Sequence, residues 1–182
     1  MRTLILVLLF LMSLGTFAQS RMYVDRSEVS FVSDAPLEHI TATNSACEGL
    51  LDPETRSFAI KVPITRFQGF NSPLQREHFN ENYLVSRTYP DATFAGRIIE
   101  TIDLNVSGSH VVRAKGRFTI HGVTMERIVP CKLVVAAEGV RVTTEFDVLL
   151  EDHAIRVPRI VNQKISPVVR VRVDVRFKPV QP

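Results

Sequence analysis

Near the C-terminus stands the stretch Val169-Arg170-Val171-Arg172-Val173-Asp174-Val175-Arg176-Phe177. It alternates without a break between β-branched or aromatic residues and charged ones. Successive side chains of a β-strand point to opposite faces, so a period of two puts all the apolar groups on one face and all the charges on the other. A helix, at about 3.6 residues per turn, would scatter the two sets around its circumference. The stretch is therefore a strand with one dry and one wet face.

The same rhythm recurs upstream. Val140, Val142, Phe146, Val148 and Leu150 oppose Arg141, Thr143, Glu145 and Asp147, and Val112, Phe118 and Ile120 oppose Arg113, Lys115, Arg117, Thr119 and His121. Further strand candidates are 28–33, 56–63, 92–104 and 123–137, with a weaker one over Thr41 to Leu50. Turn residues separate them at Asp52-Pro53-Glu54, Ser107-Gly108, His121-Gly122 and Glu138-Gly139. One segment breaks the pattern. Ser72 suits a helix cap and Pro73 a first turn, so a short helix is predicted near residues 73–84. It would put Leu74, His78 and Phe79 on one face, and Pro90 would stop it. The fold class is all-β: some eight antiparallel strands and one short helix. Strands with a single apolar face need closure, and a barrel leaves no open edge. An outer-membrane barrel would turn the apolar stripe to lipid and carry aromatic girdles. The chain has no Trp and three Tyr, and its other faces are rich in Arg, which favours a soluble barrel with the stripe inside.

The 182 residues are 45% hydrophobic and 23% charged, which suits one globular domain and excludes disordered and collagen-like classes. A net charge of +3 is too even a balance to make nucleic acid the main partner. At the N-terminus Arg2 precedes the apolar run Leu4 to Leu14, and small residues follow at Thr16 and Ala18. That is the pattern of a secretory signal peptide over residues 1–18, with the mature domain spanning 19–182. The run is too short for a spanning helix of about 20 residues. Gln19, where a lipoprotein would need Cys, predicts a free periplasmic or secreted protein. Export permits a disulfide between Cys47 and Cys131. Two separate buried thiols are the alternative, and spacing does not decide between them.

Four motifs, in order, resemble the YceI-like family. Tyr89-Pro90-Asp91-Ala92-Thr93-Phe94 is similar to its YPxAxF stretch, and Gly116-Arg117-Phe118-Thr119-Ile120-His121-Gly122-Val123-Thr124 to its G-x-[LF]-T-[IL]-x-G-[VT]-T hairpin. Asp152-His153-Ala154-Ile155-Arg156-Val157-Pro158 is similar to its D-[YF]-x-I-x-x-P ending, and His78-Phe79 falls where relatives carry a similar pair. The resemblance implies a lipocalin-like eight-stranded barrel, exported in bacteria, whose interior holds an isoprenoid or quinone-like chain. Asp34-Ala35-Pro36-Leu37-Glu38-His39-Ile40 stands where many relatives carry a His-x-Gly element, a departure at the expected pocket mouth.

Such a ligand offers only hydrocarbon, so the wall that binds it must be apolar. Phe31, Phe58, Phe67, Phe70, Phe79, Tyr83, Phe94, Phe118 and Phe146 are the wall candidates. The competing reading is that they fill the interior, since an eight-stranded barrel is just wide enough to be packed by side chains. Phe67-Gln68-Gly69-Phe70-Asn71 reads either as a lid or as a turn packed on the helix. No H-x-H or H-E-x-x-H pattern nominates a metal, and no cofactor loop is present. Glu77 with His78, and Asp152 with His153, are the only regions from which an enzyme reading could start. Arg156, Arg159, Lys164, Arg170, Arg172, Arg176 and Lys178 make the C-terminal part basic and read as a solvated outer face and a charge-guarded edge, or alternatively as a site of transient docking on anionic lipid headgroups of a membrane surface.

Overall fold

The structure, a computed structural model, describes residues 21–180. The predicted signal peptide lies outside the described residues. Nine strands follow in chain order: β1 (Met22–Ala35), β2 (Glu38–Asn44), β3 (Glu48–Leu51), β4 (Ser57–Pro63), β5 (Asp91–Ile98), β6 (Gly108–Ile120), β7 (Val123–Ala136), β8 (Gly139–Leu149) and β9 (Val168–Pro179). All their pairings are antiparallel, and β1 meets β9 from Met22↔Pro179 to Val32↔Arg170, which closes the sheet. Eight strands, β1 and β3 to β9, form the barrel, and β2 is an extra strand.

The weak candidate at 41–50 is in fact two strands, and side-chain chemistry divides them. Both pair with the same edge of β1, β2 along Val29–Ala35 and β3 along Met22 and Tyr23. Between them the Asn44 Oδ1 accepts from the Ala46 amide at 2.8 Å, and its Nδ2 donates to the Pro63 carbonyl at 2.7 Å. The Cys47 amide donates to the Ser27 Oγ at 3.1 Å. Backbone donors that a ladder would have satisfied are satisfied by side chains instead, so the strand breaks without orphaned groups. The candidate at 28–33 extends to the whole of β1. The one at 92–104 stops at Ile98, and the chain beyond it folds over one barrel end, where Leu104 is wholly buried.

The predicted helix is present but shorter. Ser72 caps it, its Oγ accepting from the Gln75 amide at 3.1 Å, and Pro73 opens α1 (Pro73–His78). One π-helical turn, Phe79–Tyr83, follows, closed by the Leu84 amide on the Phe79 carbonyl at 2.9 Å. Among the described residues no helix is long and apolar enough to cross a membrane. The β6–β7 hairpin turns at His121 and Gly122, with φ of 52° and 75°, the two left-handed positions of a tight hairpin turn.

The apolar stripe of β9 points inward, and its charges pair outside. Arg170 reaches Glu145 and Asp147, Arg172 reaches Glu145, and Arg141 reaches Asp174. The Arg176 Nε donates to Asp25 at 2.8 Å and the Lys178 Nζ stands 3.0 Å from the same carboxylate, which holds the Asp25 carboxyl well below its usual range. Surface pairs of this kind contribute about 0–1 kcal/mol each. Their larger consequence is that the Arg170, Arg172 and Arg176 face carries its own counter-charge, so the expectation of membrane contact through these three arginines loses its electrostatic basis.

Cys47 and Cys131 are both free and buried, which corrects the alternative of a bridge. Cys131 lies on the β7 side of the interior, and Cys47 sits beyond the break between β2 and β3. Burial pushes the Cys47 thiol up to about 11 and raises that of Cys131 as well.

Candidate functional site

The two ends of the barrel differ. At one end Leu51, Leu104, Leu133, Val140 and Phe177 are packed almost without exposure. At the other end the β1–β2 hairpin, α1 with its π-turn, and the segment between β8 and β9 surround an opening. A cavity of about 520 Å³ runs inward from that opening. Its depth is walled by Leu51, Ile98, Val112, Leu133, Val175 and Phe177, and its mouth by Glu38, Ser72, Leu74, Gln75, His78 and Lys164.

All nine aromatic candidates, Phe31, Phe58, Phe67, Phe70, Phe79, Tyr83, Phe94, Phe118 and Phe146, stand on the wall of this cavity. The eight phenylalanines form two groups. Beneath the mouth Phe31 stacks on Phe79 at 5.3 Å and meets Phe67 edge-on at 5.3 Å, while Phe70 lies 5.0 Å from Phe79. On the opposite wall a chain of rings runs from Phe58 to Phe94 at 5.0 Å, to Phe118 at 6.4 Å and to Phe146 at 5.9 Å. Contacts of this geometry are worth about 0.5–1.5 kcal/mol each beyond burial. The 67–71 stretch is joined to β2 by a two-way backbone bridge between Thr43 and Gln68, at 2.8 and 2.9 Å. It therefore serves as a piece of side wall, with Phe67 and Phe70 turned in beside the π-turn ring of Phe79.

Three of the polar groups on the wall spend hydrogen bonds on the backbone. The Thr144 Oγ1 donates to the Pro130 carbonyl at 2.7 Å, the Cys131 Sγ is 3.4 Å from the Val129 carbonyl, and the Ser33 Oγ accepts from the Ser166 amide at 2.9 Å. The deep wall is thus mostly hydrocarbon, which suits an apolar occupant and disfavours ordered water. Polarity gathers at the mouth, where the Gln75 Nε2 donates to Glu38 at 2.7 Å and Lys164 and His78 are exposed.

Two features had no clear sign in the sequence. Arg127 breaks the apolar stripe of β7, yet its guanidinium lies over the faces of Phe118 and Phe146 at 5.8 and 5.6 Å and donates to the Asp147 carbonyl at 2.7 Å. It braces the aromatic wall from behind. His153 is 1% exposed, edge-on to Phe118 at 5.3 Å, with its Nδ1 3.3 Å from the Val123 carbonyl. Burial lowers its pKa, and the Arg127 charge adds to the effect. Asp152 stays on the surface, and His78 and Glu77 are exposed neighbours on α1. Neither region sets an acid and a base against the cavity. Among the described residues no cluster of three or more His, Cys, Asp or Glu groups is arranged to hold a metal.

The barrel fold is shared with several solved structures. A polyisoprenoid binding domain from Saccharophagus degradans superposes with a TM-score of 0.75 at 14% identity, over 89% of this chain and 99% of that one. Burkholderia cenocepacia BcnA superposes with a TM-score of 0.69 at 15% identity, over 82% of this chain and 94% of that one. A Campylobacter jejuni YCEI protein gives 0.55 at 16%, over 72% and 78%. At these identities the likeness establishes the fold alone. No curated protein matches the sequence. The model of the YceI-like domain matches residues 22–177, from the first residue of β1 to Phe177 of β9, and on that match the chain belongs to the YceI-like family.

Proposed function

We propose that the protein binds or carries a hydrophobic, isoprenoid-like molecule inside the barrel, as an exported carrier that performs no chemistry. The observation that carries this reading is the cavity of about 520 Å³, lined in its depth by aromatic and aliphatic groups, with its polar residues gathered at the mouth. A barrel built only as a scaffold has no use for such a hollow. An empty apolar cavity forfeits dispersion contacts along its whole lining. The S. degradans domain of the same fold is described as polyisoprenoid binding, which supports the same class of ligand here. The nine aromatic wall residues are the proposed contacts for the chain, and Glu38, Gln75, His78 and Lys164 surround whatever polar end remains at the mouth. The signal-peptide pattern of residues 1–18 supports a periplasmic or secreted location. Native mass spectrometry of protein purified from its own host tests the reading. A retained lipid of isoprenoid composition is expected. A barrel that is consistently empty, and that takes up no added geranylgeraniol, would overturn it.

A further inference from the structure

The rim of the mouth combines exposed hydrocarbon with one basic segment. Leu37 at the tip of the β1–β2 hairpin is 66% exposed, Leu74 on α1 is 57% exposed and Ile160 is 93% exposed. They are neighbours of wall residues: Leu37 precedes Glu38, Ile160 precedes Val161, and Leu74 is itself on the wall. The Leu37 amide donates to the Gln163 carbonyl at 2.9 Å, which ties the hairpin to the segment that carries Ile160. That segment, residues 156–166, reads Arg-Val-Pro-Arg-Ile-Val-Asn-Gln-Lys-Ile-Ser and contains no acid. Arg156, Arg159 and Lys164 are exposed and have no acidic partner, in contrast to Arg170, Arg172 and Arg176 just downstream. The acids of the other rim elements are Asp34, which pairs with His39, Glu38, which is held by Gln75, Glu77 and Glu81 on α1 and its π-turn, and Glu151 and Asp152 at the start of the β8–β9 connection.

We propose that this rim docks on an anionic phospholipid bilayer, with Ile160, Leu37 and Leu74 entering the interface and Arg156, Arg159 and Lys164 resting among the headgroups. Three large aliphatic groups held in water around one opening gain by burial in lipid. Three exposed cations that form no ion pair among the described residues, on a segment that contains no acid, make an anionic surface the complementary one for that side of the rim. Docking in this orientation sets the mouth against the acyl layer, so an apolar molecule passes between bilayer and cavity without crossing water. The docking surface stands independently of what the cavity holds.

Flotation of the purified protein with vesicles of phosphatidylglycerol and phosphatidylethanolamine, against vesicles of phosphatidylcholine, is the test. Binding is expected to the anionic vesicles, falling with added salt. Each of Arg156→Gln, Arg159→Gln and Lys164→Gln is expected to weaken it about fivefold. Ile160→Gln is expected to weaken it further without changing the melting temperature, because the side chain touches little of the protein. The variant R170Q/R172Q/R176Q, which alters charge on the barrel side, should bind as the unaltered protein does. Absence of binding to anionic vesicles, or binding unaffected by the Arg156, Arg159, Ile160 and Lys164 changes, would overturn the proposal. Neither result depends on whether a lipid is found inside the barrel.

Discussion

Replacing Ala114 by Phe plants a ring in the deep half of the cavity. Ala114 lies on β6, between Ile98 of β5 and Val129 of β7 in register, and its side chain is on the cavity wall. An apolar cavity of about 150 Å³ accommodates a benzene ring of six carbons. On that scale 520 Å³ holds roughly 20 carbons, or about four isoprene units. The added ring takes the room of about six of them, so a four-unit chain must leave one unit outside. Five carbons returned to water at about 0.8 kcal/mol each cost about 3–4 kcal/mol, two to three orders of magnitude in affinity. A two-unit chain still fits in what remains and should lose nothing. Titration of both proteins with geranylgeraniol and geraniol measures the contrast directly. The expected result is a large loss for geranylgeraniol and an unchanged geraniol affinity, with an intact fold by circular dichroism. Equal binding of geranylgeraniol to both proteins, or an equal loss for both alcohols, would refute the picture of a chain lying along the barrel axis.

Three other outcomes follow from the structure. His153 prefers to be neutral when folded, so the unfolded chain binds more protons as the pH falls below its ordinary value of 6.5, and stability declines from that point downward. In His153→Gln this decline should vanish, leaving the acid limb set by Asp25, Glu100, Glu145 and Asp174, whose carboxyls are all held below their usual range; denaturant melts between pH 7 and 5 test it. Gly122→Ala should destabilise by more than about 1 kcal/mol and leave β6 and β7 paired, because a Cβ there would stand 2.5 Å from the Tyr89 ring at a φ of 75°. Cys47 and Cys131 should resist a thiol reagent in the folded protein and react as two equivalents in denaturant, and a reductant should leave the melting temperature unchanged.

The strands were legible because each long one buries a single face, and burial of one face writes a period of two into the sequence. β9, β8 and β6 are the clearest examples, and their inward residues are those the alternation selects. The helix was legible from two residues, Ser72 and Pro73, although its π-turn was not, because that turn is set by the packing of Phe79 against Phe31 and Phe70. The division of β2 from β3 was hidden because it depends on the reach of the Asn44 side chain to Pro63, 19 residues away. The mouth was equally hidden. Glu38, Gln75 and Lys164 belong to three separate segments, and nothing local in any of them marks a rim. Composition supplied the aromatic set, since large rings in a chain with one interior have few other places to go, but it did not order them into two groups.

Why the barrel is hollow follows from that same break. An eight-stranded barrel leaves an interior just wide enough for side chains to fill or for one small ligand, and the strands and side chains around it decide which. Here β3 continues the ladder to β4 through Glu48↔Lys61 to Leu51↔Phe58, while β2 pairs with β1 and meets the rest of the wall through the Thr43–Gln68 bridge and side-chain bonds of Glu38, His39 and Asn44. At the end where β2 departs, the circumference is completed by the 64–71 loop and the π-turn instead of a ladder-bonded strand. Rings are larger than the gap between ladder strands, so Phe31, Phe67, Phe70 and Phe79 hold the wall apart there at centroid distances of 5.0 to 6.0 Å. At the other end, where β3 and β4 remain in register, the interior closes on Leu51, Leu133 and Phe177. The taper from an aromatic mouth to an aliphatic floor thus runs with the break at which Asn44 and Ser27 hold the strand ends. Asn44→Val should therefore let β2 and β3 run together and shrink the cavity, and a loss of geranylgeraniol uptake with retained or increased thermal stability is the result this reasoning requires.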